Sequence, residues 1–110
     1  MLAMSKEQED KLRAIQDKAV DHAIEELNAA DELGIASRED RGDRYFLTKM
    51  AKESLTVAAK VEGFVMLRTR EGRFNPDPEE ENEAINRMIK RARGEVDAIL
   101  KRAKEGTPAK

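Results

Sequence analysis

Cysteine and tryptophan are absent from this chain, and its 110 residues hold a single histidine, a single tyrosine and three phenylalanines. Without cysteine there is no disulfide framework, no thiolate nucleophile and no zinc ribbon, a usage that suits a cytosolic setting. The lone histidine, His22, falls in the middle of a helical pattern, so no serine has both a base and an orienting group. Gly34, Gly42, Gly63, Gly72, Gly94 and Gly106 stand singly, which removes the glycine-rich phosphate loop. Alternating β-branched runs are missing as well, and with them the case for a sheet. No run approaches the ~20 apolar residues of a membrane span, and Met1-Leu2-Ala3-Met4 is too short for a signal-peptide core. These absences lead us to expect a cytoplasmic protein, or a virion component if phage-encoded, with no catalytic residues, cofactor or bound metal and no membrane partner. Residues 1–5 are expected to form a flexible or partner-dependent leader, with Met4 a candidate start.

Charge is plentiful but balanced. Lys and Arg number 21 and Asp and Glu 23, a formal net charge of -2, so no global field attracts nucleic acid or an anionic membrane. Charged residues make up 40% of the chain, aromatics only 4%, and alanine dominates the apolar 39%. That balance predicts long helices with narrow apolar seams and solvated faces.

The stretch over residues 43–70 organises the rest. Wound at 3.6 residues per turn, Phe46, Leu47, Met50, Ala51, Leu55, Val57, Ala58, Val61, Phe64, Val65 and Met66 cover roughly half its circumference, wider than the ~100° stripe of an ordinary surface helix. A helix with so wide an apolar face needs more than one neighbour. Before it, Ser5 and Gln8 have the form of a capping box, and Leu12, Ile15, Ala19, Val20, Ala23, Ile24, Leu27, Ala30 and Leu33 step by three and four, predicting a first helix over about residues 6–33. Gly34 is expected as its left-handed cap, with Ile35 and Ala36 packing across the turn. Ser37 with Asp40 offers one start for the next helix and Gly42-Asp43 a competing one; we expect a short helical turn at about 38–41 and the main helix at about 43–70. Gly63 and Ala59, one turn apart, mark a candidate helix crossing.

Arg70 to Pro76 reads as a connection. Asp77-Pro78-Glu79-Glu80 is a strong helix start, and Ile85, Met88, Ile89, Ala92, Val96, Ile99, Leu100 and Ala103 follow at near-heptad spacing, predicting a third helix over about 78–105. The expected fold is all-α: three long helices in one domain over about residues 6–106, as an up-down-up antiparallel bundle or an extended hairpin plus a third helix, with a flexible tail at 107–110. In a bundle the acidic end of the first helix (Asp17, Asp21, Glu25, Glu26, Asp31, Glu32) would lie beside the basic end of the third (Lys90, Arg91, Arg93, Lys101, Arg102, Lys104), and Lys6, Lys11 and Arg13 near Glu79, Glu80, Glu81 and Glu83. The same complementarity could operate between two chains.

Candidate sites are few. His22 with Glu25 and Glu26 lacks the Glu-x-x-His of di-iron helices, because position 19 is alanine, and reads as a solvated helix-face histidine near acids. Arg41-Gly42-Asp43 is a turn leading into a helix rather than an adhesion signal. Tyr45, Phe46, Val57, Phe64 and Leu67 are the candidate partner interface, since they lie outside or along one edge of the wide apolar arc and aromatics are enriched at interfaces. Arg68, Arg70 and Arg73 around the second turn, and Arg87, Lys90, Arg91, Lys101 and Arg102 along the third helix, are candidate nucleic-acid contacts.

The leading expectation is a non-enzymatic assembly protein that self-associates, or docks on a larger complex, through its second helix. The alternatives are a nucleic-acid-binding accessory subunit acting as an oligomer and a small regulatory protein that caps a partner enzyme. No motif assigns a family; in general style the chain is similar to small helical proteins of bacteriophage particles and packaging machines, small terminase subunits among them.

Overall fold

Three α-helices account for nearly all of the computed structural model, which describes residues 4–33 and 37–106: α1 (Lys6–Glu32), α2 (Arg38–Thr69) and α3 (Pro78–Gly106). The fold is all-α. The cap, packing step and tail expected at Gly34, Ile35, Ala36 and residues 107–110, like the first three residues of the expected leader, lie outside the described residues.

Cross-helix bonds give the topology directly. As numbers rise along α1, its partners on α2 fall: Gln16 donates to Glu62 (2.8 Å), His22 meets Ser54 (3.3 Å), and Arg44 donates to the Ala30 carbonyl (2.8 Å). α2 and α3 are likewise antiparallel, through Arg68 with Glu81, Lys60 with Glu95 and Glu53 with Arg102. Gln8 with Asn82 and Lys18 with Asp97 then make α1 and α3 parallel. The result is an up-down-up bundle measuring 58 × 22 × 17 Å.

The helix ends follow local chemistry. Ser5 Oγ accepts from the Gln8 amide while the Gln8 side chain accepts from the Ser5 amide, both at 3.1 Å, so two otherwise orphaned donors are satisfied reciprocally. Asp77 accepts from the Glu79 amide at 2.9 Å ahead of Pro78. After α2 the chain reverses at Gly72, whose φ of 64° is a left-handed conformation natural to glycine, and the Arg73 amide donates to the Leu67 carbonyl six residues back.

Two expectations for α2 are corrected. There is no break at Gly42-Asp43: α2 runs unbroken from Arg38, because Ser37 Oγ caps the Asp40 amide (2.9 Å) and Gly42 keeps an ordinary helical backbone. Arg44 stays on the helix to reach the Ala30 and Leu33 carbonyls, so it caps the open end of α1. Nor is there a crossing at Ala59 and Gly63, which are exposed; a Cβ added at Gly63 would meet nothing within 4 Å.

The close contact lies elsewhere. Ala19, Ala23 and Ala30 of α1 and Ala51, Ser54 and Ala58 of α2 are all buried, and α1 packs more extensively on α2 than either does on α3. Small side chains let two backbones approach; the larger Ile85, Ile89, Val96 and Ile99 of α3 fill the groove beside that seam together with Leu12, Ile15, Val57, Val61 and Val65. At the lower end, Glu81 is buried with full compensation. It receives Arg68 (2.6 Å) and the Asn75 amide (3.0 Å), and the Arg68 guanidinium lies 3.7 Å above the Phe64 ring.

The expected match of α1 acids with α3 bases is not what joins those helices. The described α1–α3 ion pair, Lys18 with Asp97 at 3.6 Å, has the opposite sense, while Lys6 and Lys11 pair with Asp10 and Glu7 on their own helix and Arg13 reaches Glu62 of α2. The seam brings α2 closer to α1 than α3 comes, so the charges at the edge of α1 meet α2 first.

Gly63 and Gly94 sit in helix interiors with open space around them. Replacing each by alanine is expected to raise unfolding free energy by about 0.5–1 kcal/mol in urea titration, near-additively, since only backbone entropy is at stake. A loss at either position would place a neighbour against that glycine.

Candidate interaction surface

The aromatic edge expected on α2 divides in three. Val57 is part of the core, because its position faces the α3 groove, and it has no free surface for a partner. Phe46 and Phe64 are half-buried and packed against the same core, with Phe64 covered further by Arg68. Tyr45, 71% exposed, and Leu67 remain outside.

Three aliphatic side chains that the sequence pattern assigned to the core are exposed instead: Ile24 (51%), Leu55 (43%) and Leu27 (39%). Their positions are related. Arg13, Val20, Ile24, Leu27 and Asp31 follow one line along α1 at steps of three, four and seven, and Arg44, Thr48, Leu55 and Glu62 follow a line along α2. The ends of both lines are tied together by Arg13 with Glu62 and Asp31 with Arg44 (3.5 Å), so Val20, Ile24, Leu27 and Leu55 flank the α1–α2 seam between two ion pairs. Hydrogen bonds from Gln16 and then from Arg13 hold the Glu62 carboxyl below its usual range, which keeps that end of the bracket charged. Bonds to α3 leave α1 and α2 from other edges, through Gln8 and Lys18 and through Glu53, Lys60 and Arg68. The aliphatic strip therefore lies on the side of the hairpin away from α3, the position a fourth helix would occupy.

The candidate nucleic-acid contacts separate by the same test. Arg68 is committed to Glu81 and Phe64, Arg73 pairs with Glu71 (3.5 Å) and Arg102 with Glu53 (2.7 Å). Arg70 is exposed near Glu62. Arg87, Lys90, Arg91 and Lys101 stand exposed on the outward side of α3 with no ion pair among the described residues.

His22 is not the solvated residue expected. It is largely covered, with Nδ1 3.3 Å from Ser54 Oγ and Nε2 3.2 Å from Glu26 Oε1. Glu26 is itself buried, and Oε1 has no other donor, so the contact is favourable only with a proton between the two side chains. Burial lowers the His22 pKa against the raising effect of Glu25, and burial, aided by Glu25, raises that of Glu26. Beside them a shallow groove of about 440 Å³ is lined by Glu25, Ala29, Leu47, Leu100 and Lys104 among others. Among the described residues no group of three or more His, Asp and Glu side chains is placed to hold a metal, and no helix is long and apolar enough to cross a membrane. Comparison with family models, with curated proteins and with solved structures yields no match.

The buried carboxyl gives a pH signature. With its pKa raised, native Glu26 takes up a proton before the unfolded chain does, so its penalty is present at high pH and is relieved as pH falls through the native value. Glu26→Gln is therefore expected to stabilise the protein by about 1 kcal/mol near pH 8, the gain shrinking as pH approaches the ordinary carboxylate value of 4.5. His22 acts in the opposite sense, costing stability as pH falls below 6.5. Parallel stability profiles for wild type and variant would show that Glu26 carries no penalty.

Proposed function

We propose that this chain is a non-enzymatic helical assembly protein that self-associates through the outer face of its α1–α2 hairpin. One observation carries the reading: Ile24, Leu27 and Leu55 are exposed along one seam, bracketed by ion pairs, whereas the other large apolar side chains of α1 and α2, Tyr45 and Leu67 apart, are buried or half-buried. Scattered exposed aliphatics are ordinary, but a continuous strip with a polar rim is the anatomy of an interface. The strip also moves the working contact away from the aromatic edge of α2, since Val57, Phe46 and Phe64 are engaged with the core.

A second reading, nucleic-acid binding, has its own observation in the cations of α3. Arg87, Lys90, Arg91 and Lys101 present a row of exposed charge that a phosphate backbone could meet, and several aligned copies would strengthen it.

Light scattering tests the first reading. The purified protein is expected to exceed its monomer mass of 12.4 kDa, and Ile24→Glu with Leu55→Glu to return it to the monomer with helicity unchanged. A wild-type monomer, or an oligomer indifferent to those substitutions, would count against it. For the second reading, retention on duplex DNA should weaken steeply with salt and be lost in Arg91→Glu/Lys101→Glu; retention unaffected by that pair would sink it.

A further inference from the structure

We propose that the contact is a two-fold dimer whose axis runs parallel to the helices, so that α1 of each copy lies over α2 of the other. The inference rests on the reading of the strip as the self-association face and adds its geometry.

Two equal faces made of two antiparallel helices can meet isologously in two ways. With the axis across the helices, α1 covers α1 and α2 covers α2. With the axis along them, α1 covers α2 twice over. Charge distinguishes the two. Beside the strip the outer edge of α1 carries Asp17 and Asp21 and that of α2 carries Lys52, with Lys49 one turn before it and further round, on the line of Glu53 and Lys60; all four are exposed, and none is in an ion pair among the described residues. An axis across the helices sets acids on acids and lysines on lysines, whereas an axis along them sets each acidic edge on a basic one.

Register favours the same choice. Within one chain Ser54 stands level with His22, and the Ala58 carbonyl with Gln16. Heights are preserved by an axis parallel to the helices, so Lys52 comes level with Asp21 and Ile24 of the partner copy, and Leu55 with its Val20, within about a turn. Aliphatic then meets aliphatic at the centre and lysine meets aspartate at the margin. The pairs Arg13–Glu62 and Asp31–Arg44 fall at the two ends as a polar rim. Two helices of ~40 Å lying side by side offer about 800 Å² per copy, the area a stable standard interface uses. The assembly is a four-helix core with α3 of each copy on the outside.

A charge-swap cycle tests this, with the dimer dissociation constant measured by sedimentation at low salt and helicity checked for each variant. Asp17→Lys/Asp21→Lys and Lys49→Glu/Lys52→Glu are each expected to weaken the dimer about tenfold or more, and the chain carrying all four to recover most of that loss, because both edges are then reversed together. With the axis across the helices either pair merely exchanges one like-charge contact for another. Unchanged dissociation constants in both paired variants, with Ile24→Glu/Leu55→Glu still dissociating the protein, would thus overturn the geometry and leave the self-association reading in place. Weakening without recovery in the fourfold variant would overturn the geometry too. A wild-type monomer, or a dimer untouched by the aliphatic substitutions, would remove the reading and this inference with it.

Discussion

The seam of small side chains between α1 and α2 is the constraint on which the rest of the molecule depends. Ala19, Ala23 and Ala30 opposite Ala51, Ser54 and Ala58 allow the two backbones to approach closely, so little of the apolar volume is placed between them. The bulk must then go to one side, where α3 supplies Ile85, Ile89, Val96 and Ile99. The opposite side receives no such helix, and what would have been a second core layer becomes surface. Close packing within the hairpin and the bare strip outside it are therefore two results of one choice of residue size.

The two buried acids show how differently one side chain fares in one bundle. Glu81 begins α3 with an arginine, a backbone amide and a covering aromatic ring arranged around it, and its charge is fully compensated. Glu26 sits in the alanine seam, where His22 Nε2 lies 3.2 Å from an Oε1 that has no hydrogen-bond donor among the described residues. The first fixes the approach of α3 to α2. The second places a polar, protonation-dependent contact inside the tightest packing of the fold, beside the groove that Leu47 and Leu100 line.

Much of this architecture was legible in the residues. Ser5 with Gln8, and Asp77 with Pro78, locate helix starts because capping is local chemistry with a fixed spacing. What the pattern could not resolve was which apolar positions have a helix opposite them. Ile24 and Leu27 obey the same three-and-four step as Ile15 and Ala19, and periodicity reports a side of a helix, not the neighbour that covers it. Leu55 and Val57 differ by two residues and by about 160° of rotation, so one lies on the bare edge and the other in the core. His22 and Glu26 read as solvated for the converse reason: polar side chains pass for surface unless something marks their surroundings, and the alanines that bury them carry no such mark. Gly42 misled because glycine punctuates chains only where its conformational freedom is used, as it is at Gly72.

The uneven packing also bears on the order in which the molecule comes together. α1 and α2 are neighbours in sequence, and their closest contacts cross a short connection, whereas α3 must settle against partners contributed by both ends of that hairpin. Loop-closure entropy is least for the hairpin and greatest for the pairing of α1 with α3. The hairpin is thus the natural nucleus and α3 the late arrival, held at its start by Arg68 on Glu81 and released first when the structure opens. While α3 is away, the hairpin is bare on both faces, and for that interval the chain is most prone to join the wrong neighbour.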